Sequence, residues 1–77
     1  MTITVKFFAS LRESLDQSQA SLTYSASLSA KDVWQLATNN APFKANTLCA
    51  INQEHADINH SINDGDEVAF FPPVTGG

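Results

Sequence analysis

The residues best suited to chemistry in this chain stand at its end, in Phe70-Phe71-Pro72-Pro73-Val74-Thr75-Gly76-Gly77. Two glycines have no Cβ, so such a stretch passes through a narrow slot and brings its backbone close to a nucleotide or a partner. The group it would present is the main-chain carboxylate of Gly77. A carboxylate is a poor acyl donor, but joining it to a good leaving group makes it a reactive one. Pro72 and Pro73 fix φ and lack an N–H, so they end sheet pairing and stiffen the segment that leaves it. Extended, the stretch from Pro72 to Gly77 reaches roughly 20 Å. The expectation is a globular body, residues 1–71, that holds out a thin flexible arm, residues 72–77.

The other reactive side chains point to structural roles. Cys49, within Leu48-Cys49-Ala50-Ile51, reads as a buried small hydrophobe, with a sulfur relay as the sharper alternative. His55, Asp57 and His60 are ligand types on one hairpin, but without a second cluster they make a weak metal signal, and no metal is expected. Asp64, Asp66 and Glu67 read as turn formers and surface charge, with pairing to a basic patch on a partner as a secondary role. The sequence has no glycine-rich phosphate loop and no activated nucleophile. It therefore could not activate that carboxylate by itself, and no bound cofactor is expected.

Length and composition narrow the class further. Seventy-seven residues hold one core, and with 43% hydrophobic and 16% charged residues the chain is globular and not disordered. A single cysteine permits no internal disulfide, and there is no apolar run of membrane length or secretory signal, which together point to the cytosol. Lys6, Arg12, Lys31 and Lys44 face eight acidic residues, for a net charge of −4. Nucleic acid is then a poor partner, since phosphate binding needs clustered Lys and Arg. A basic groove on another protein is a better one.

The elements that must position the tail follow from periodicity. Thr2 to Ala9 alternates, with Ile3, Val5 and Phe7 on one side and Thr2, Thr4, Lys6 and Phe8 on the other, as a half-buried strand does. Ser10 to Leu15 reads as a short helix capped by Ser10, with Leu11 and Leu15 inward. Gln19 to Tyr24 is a weaker strand. The main helix runs from an Ser29 cap to before Pro42, with Val33, Leu36 and Ala37 on its inner face and Trp34 at their edge. Leu48 to Asn52 reads as a buried strand and Asp57 to His60 as its return across a Gln53–Ala56 turn. Asn63-Asp64-Gly65-Asp66 is a turn, and Glu67 to Phe71 is the last strand, with Val68 and Phe70 inward. This order predicts an α+β layer fold, with the first and last strands paired at the centre of the sheet.

Residues Phe7-Phe8-Ala9 with Arg12-Glu13, Ala50-Ile51-Asn52-Gln53, and above all Asp64 to Gly77, resemble the ubiquitin-like β-grasp sulfur carriers. Within that group they are most similar to the small subunits of molybdopterin synthases. The resemblance implies a mixed sheet of four to five strands, one main helix packed on one face, and a flexible C-terminal tail. It implies that an ATP-dependent activating enzyme adenylates Gly77, that sulfur replaces the adenylate to give a thiocarboxylate, and that the tail inserts into the large subunit of the synthase. There the sulfur would go to cyclic pyranopterin monophosphate to build the molybdopterin dithiolene, with two carriers per product. The implied assembly is a heterotetramer of two small and two large subunits, the large one supplying the catalytic groups.

Alternation sends Phe8 and Phe71 to the face opposite the helix, where they would form one exposed apolar patch. The resemblance places these positions, Arg12 and the tail residues Pro72, Pro73, Val74, Thr75 and Gly76 on the surface that meets the large subunit. His55 departs from the family pattern, in which an apolar residue is common there. Three other readings stand beside this one: a thiamine-pathway carrier, a ubiquitin-like modifier that forms isopeptide bonds with lysines, and a plain interaction module.

Overall fold

The computed structural model describes residues 2–25, 27–43 and 47–72. Strand β1 (Thr2–Phe7) keeps the predicted alternation: Ile3, Val5 and Phe7 are buried and the residues between them are not. Helix α1 (Ala9–Leu15), strand β2 (Gln19–Thr23), helix α2 (Ala30–Ala37) and strands β3 (Leu48–Ile51), β4 (Glu54–Ala56) and β5 (Glu67–Phe71) follow. They form a mixed five-stranded sheet in the order β2-β1-β5-β3-β4. The first and last strands pair in parallel at its centre, with Val5 opposite Val68 and Phe7 opposite Phe70. The other neighbours are antiparallel.

Helix α2 forms because Ser29 and Asp32 make a capping box. The Asp32 N–H donates to Ser29 Oγ at 3.2 Å, and the Ser29 N–H donates to Asp32 Oδ2 at 2.9 Å. Two of the first N–H groups a helix leaves unpaired are met by the loop before β5: Ala30 donates to His60 O and Lys31 to Ile58 O. The inner face differs from the one expected. Ala30, Val33 and Trp34 are buried with Ala37 partly so, whereas Leu36 is 57% exposed. The spacing i, i+3, i+4, i+7 starts from Ala30, and that phase turns Trp34 to the centre and Leu36 to solvent. The Trp34 ring stands edge-on to Phe7, Phe43 and Phe70, with centroids at 5.9, 5.1 and 5.1 Å. Its indole N–H donates to Ala41 O at 2.8 Å, so the ring is buried without an orphaned donor.

Two further boundaries are corrected. Helix α1 starts at Ala9 with Phe8 at its N-cap and no side-chain cap, so Ser10 lies inside the first turn. The chain leaves β1 through Ala9 at φ +53, and this reversal begins the helix before a serine cap would. The strand returning from β3 is Glu54–Ala56, not Asp57–His60. Asn52 and Gln53, at φ +52 and +71, make a two-residue hairpin turn with Ile51 opposite Glu54. Residues 57–60 instead fold into a turn whose carbonyls face α2, with the Asn59 N–H on Asp57 Oδ1 and the His60 N–H on Asp57 O.

Candidate functional site

Helices cover one face of this sheet, and the other face carries the candidate site. Each central strand ends at a Phe-Phe pair: Phe7 closes β1 with Phe8 just beyond it, and Phe70-Phe71 closes β5. Phe7 is 1% exposed and Phe70 fully buried, while Phe8 is 48% exposed and Phe71 half-buried. The Phe8 N–H donates to Phe70 O at 3.1 Å, so the backbone at Phe8 still runs beside the end of β5. Phe71 lies opposite Leu48, and Ala69 opposite Ala50, which in turn lies opposite His55. The His55 ring meets the Phe71 ring edge-on at 5.5 Å. The half of the face on β5, β3 and β4 is therefore apolar, built from Leu48, Ala50, Ala69 and Phe71, with His55 at its rim and Phe8 at the end of β1.

The half on β1 and β2 is different. Thr2 is opposite Thr23, Thr4 opposite Ser21, and Lys6 opposite Gln19. Lys6 Nζ pairs with Glu67 Oε1 at 3.2 Å across to β5. Both side chains are about a third exposed, so water screens the pair.

Of the sequence-predicted partner-binding residues, the structure brings Phe8 and Phe71 to the same end of the central strand pair. Pro72 follows directly on β5 and is half-buried. Arg12 is exposed on α1, in a shallow hollow with Glu13, Asp16, Gln17 and Ser18 at the β2 side, whereas Leu48 and His55 belong to the opposite side. Pro73, Val74, Thr75, Gly76 and Gly77 lie outside the described residues.

Leu48, expected inside a buried strand, is 36% exposed on the apolar half. Every residue of Leu48-Cys49-Ala50-Ile51 is apolar, so the stretch carries no alternation from which to read its facing. Cys49 takes the inner side. Its thiol donates to Ala56 O at 3.2 Å, and burial, with a smaller push from the Asp57 carboxylate, raises its pKa. Such burial suits a structural cysteine and disfavours the thiolate that a nucleophile needs.

Asp57 and His60 are engaged locally, His60 Nδ1 lying 2.8 Å from Ser61 O. Among the described residues, no three His, Cys, Asp or Glu side chains converge as a metal site would require. Nor is any helix among them long and apolar enough to cross a membrane.

Asn52 ties the apolar half to the start of β5. Its side-chain amide donates to Asp66 Oδ1 at 2.9 Å, its oxygen accepts from the Glu67 N–H at 3.0 Å, and its own N–H donates to Glu67 O at 2.8 Å. Gly65, at φ +86, allows the turn that brings Asp66 there, and the Asn63 N–H closes it on Asp66 Oδ2.

The model of the ThiS family matches residues 5–77. The chain belongs to this family. A curated relative, the molybdopterin synthase sulfur carrier subunit of Escherichia coli (strain K12), is 50% identical over 46 residues, which is 60% of this chain. The chain spans about half the length of the curated relatives it matches, 52% of each. Among solved structures, SAMP1 from Haloferax volcanii superposes with a TM-score of 0.79 at 22% identity, covering all of both chains. The complex of subunits 1 and 2 of molybdopterin-converting factor from Helicobacter pylori 26695 contains a chain that matches with a TM-score of 0.67 at 21% identity, again over all of both. These likenesses establish the ubiquitin-like β-grasp fold that the resemblance implied.

Proposed function

We propose that this chain is the sulfur-carrier subunit of a molybdopterin synthase, non-catalytic by itself and working in the cytoplasm. The observation that carries this reading is the 50% identity to a molybdopterin synthase sulfur carrier subunit, within a family match that runs through Gly77. The apolar half of the sheet face supports it, because an exposed patch with aromatic rings beside the start of the tail is what a partner-docking surface needs.

In this proposal an activating enzyme joins the Gly77 carboxylate to AMP from ATP, with release of pyrophosphate. A sulfur nucleophile then displaces AMP, leaving a thiocarboxylate. Sulfur so held is strongly nucleophilic near neutral pH and remains tethered to a protein. The large synthase subunit takes up Pro72 to Gly77, and Phe8, Phe71 and Arg12 contact its surface. The thiocarboxylate sulfur attacks cyclic pyranopterin monophosphate, the new C–S bond replacing a C–O bond of the precursor, and hydrolysis of the resulting thioester leaves the sulfur on the pterin and restores the Gly77 carboxylate. Two such transfers supply the two dithiolene sulfurs, in line with an assembly of two small and two large subunits.

Intact mass spectrometry of the protein from its own cells tests this. The expected result is a species heavier by the difference between one sulfur and one oxygen atom, located at Gly77 and lost when Gly77 is deleted. Lysine-linked conjugates in place of that species would make the chain a protein modifier. Sulfur loading without transfer to the pterin precursor by a large subunit would make it a carrier for another pathway, such as thiamine synthesis.

A further inference from the structure

We infer that the open edge of β2 is a self-pairing surface, on which a second copy of this chain docks antiparallel about a two-fold axis through Ser21. The inference is independent of the sulfur-carrier reading, since it uses neither the tail nor the apolar half of the face. The order β2-β1-β5-β3-β4 leaves two edges among the described residues, and they are built differently. Strand β4 is three residues long and exposes Glu54 and His55, so it is short and polar, as edges guarded against pairing are. Strand β2 is five residues long, Gln19-Ala20-Ser21-Leu22-Thr23, with neither a charged residue nor a proline. Its register against β1 skips no residue, so no bulge twists it away.

The ladder to β1 fixes which backbone groups face outward. The Phe7 N–H donates to Ser18 O at 3.0 Å, so Ser18 turns its carbonyl toward β1. Antiparallel strands alternate, and Ala20 and Leu22 therefore bond to β1 while Gln19, Ser21 and Thr23 turn N–H and C=O to the open side. Thr4, opposite Ser21, accordingly sends its own N–H the other way, to Asp66 O at 3.1 Å. A reversed β2 laid with its Ser21 opposite this one overlaps the whole strand. Ser21 then faces Ser21, and Gln19 faces Thr23 of the second copy, each pair exchanging both backbone hydrogen bonds.

The side chains favour the same pairing. The strand reads polar-apolar-polar-apolar-polar, which is identical in both directions. On the outer face the reversed copy matches exposed Gln19 with Thr23 and Ser21 with itself, and on the helix face half-buried Ala20 meets half-buried Leu22. Two copies with a net charge of −4 repel wherever acidic residues meet. From Gln17 to Ala30 there is no charged residue, the longest such stretch in the sequence, and β2 lies inside it. The paired copies make one continuous sheet with all helices on one side and the two apolar halves at its outer ends, so self-pairing leaves those halves uncovered. The contact is small and therefore weak.

The test is sedimentation velocity of the full chain, with amide NMR spectra, from about 20 µM to about 2 mM, a range suited to small interfaces. Wild type should shift from monomer toward dimer, with concentration-dependent amide shifts centred on Gln19, Ser21 and Thr23. Ser21→Lys and Ser21→Glu place like charges opposite each other at the axis, and each should weaken self-association on the order of tenfold. An equal mixture of the two variants should restore it, because the facing charges are then opposite. A chain that stays monomeric throughout overturns the inference and leaves the edge to a strand of a different protein. Shifts centred on Leu48, Ala50 and Phe71 overturn it as well, by making the apolar half the self-contact. Variants that associate like wild type, or a mixture no better than its components, overturn the axis at Ser21.

Discussion

Two Phe-Phe pairs, at 7–8 and 70–71, lie on neighbouring central strands, and each pair splits between the two faces of the sheet. Phe7 and Phe70 stack at 6.0 Å beneath Trp34, whereas Phe8 is largely exposed and Phe71 meets only the rim histidine among the ring contacts described. Period two alone separates them, so the same residue type holds the fold on one side and is available for docking on the other. The outer face is itself divided. Its β1–β2 half carries threonines, serine and Lys6, whose ion pair with Glu67 reaches across to β5, and beyond Glu67 the β5–β3–β4 half is leucine, alanine, phenylalanine and histidine. Apolar area left uncovered on a chain this small is costly unless something covers it, and it is confined to β5, β3 and β4.

The sharpest way to break this contrast is to truncate one ring of each kind. Phe70→Ala removes a fully buried ring that contacts Phe7, Trp34 and Phe43, and it should cost about 3–5 kcal/mol of folding stability in a denaturant titration. That is a large share of what a domain this size possesses. Phe71→Ala, one residue further, should cost about 1 kcal/mol or less in folding, since the ring is only half-covered. It should instead weaken association with the proposed large subunit by about 2 kcal/mol, read by calorimetry. Similar stability losses from both variants would mean that the outer ring is also structural.

Much of this division was legible in the sequence. Thr2 to Phe7 alternates polar and apolar residues cleanly enough to assign faces, and Glu67, at the head of an otherwise apolar stretch to Phe71, sets the phase that turns Val68 and Phe70 inward beside the first strand. The parts that were not legible have identifiable causes. Leu48 to Ile51 is apolar throughout, so nothing marked Leu48 as outward. Helix α2 is short enough that its phase turned on whether Ala30 belonged to the inner stripe, and an alanine gives little signal. The hairpin was misplaced because Asn52-Gln53 lacks the glycine that usually announces a two-residue turn, although both residues take positive φ. The contact between His55 and Phe71 depends on that register, and a return strand at 57–60 would have hidden it.

That turn offers a milder test of how the apolar half is held. Gln53 is exposed, with φ +71, a conformation that costs a residue with a Cβ roughly 1–2 kcal/mol. Gln53→Gly relieves that cost but loosens the unfolded chain by roughly 0.5–1 kcal/mol. The expected net gain is about 0.5 kcal/mol, measured as a small rise in Tm. Asn52 should not be exchanged in the same way, because its side chain bridges to Asp66 and Glu67. A Gln53→Gly variant that is clearly less stable would show that the turn is not strained, and that its side chain has a role on the face carrying His55.

The smallest effect belongs to the polar half. Lys6 and Glu67 are 3.2 Å apart, but both are about a third exposed, so their attraction is screened and their ordering is opposed by side-chain entropy. Lys6→Ala should therefore change folding stability by no more than about 0.5 kcal/mol, and that difference should shrink further in high salt. It should leave association with the proposed large subunit little changed where Phe71→Ala weakens it, because Lys6 is a screened surface charge beside Ala69 at the border of the apolar half and not one of its rings. A loss of affinity for Lys6→Ala comparable to that of Phe71→Ala would extend the docking surface across the whole sheet and remove the distinction between its halves. Agreement with the small value would mean that the polar half keeps the exposed sheet soluble while its neighbour waits for a partner.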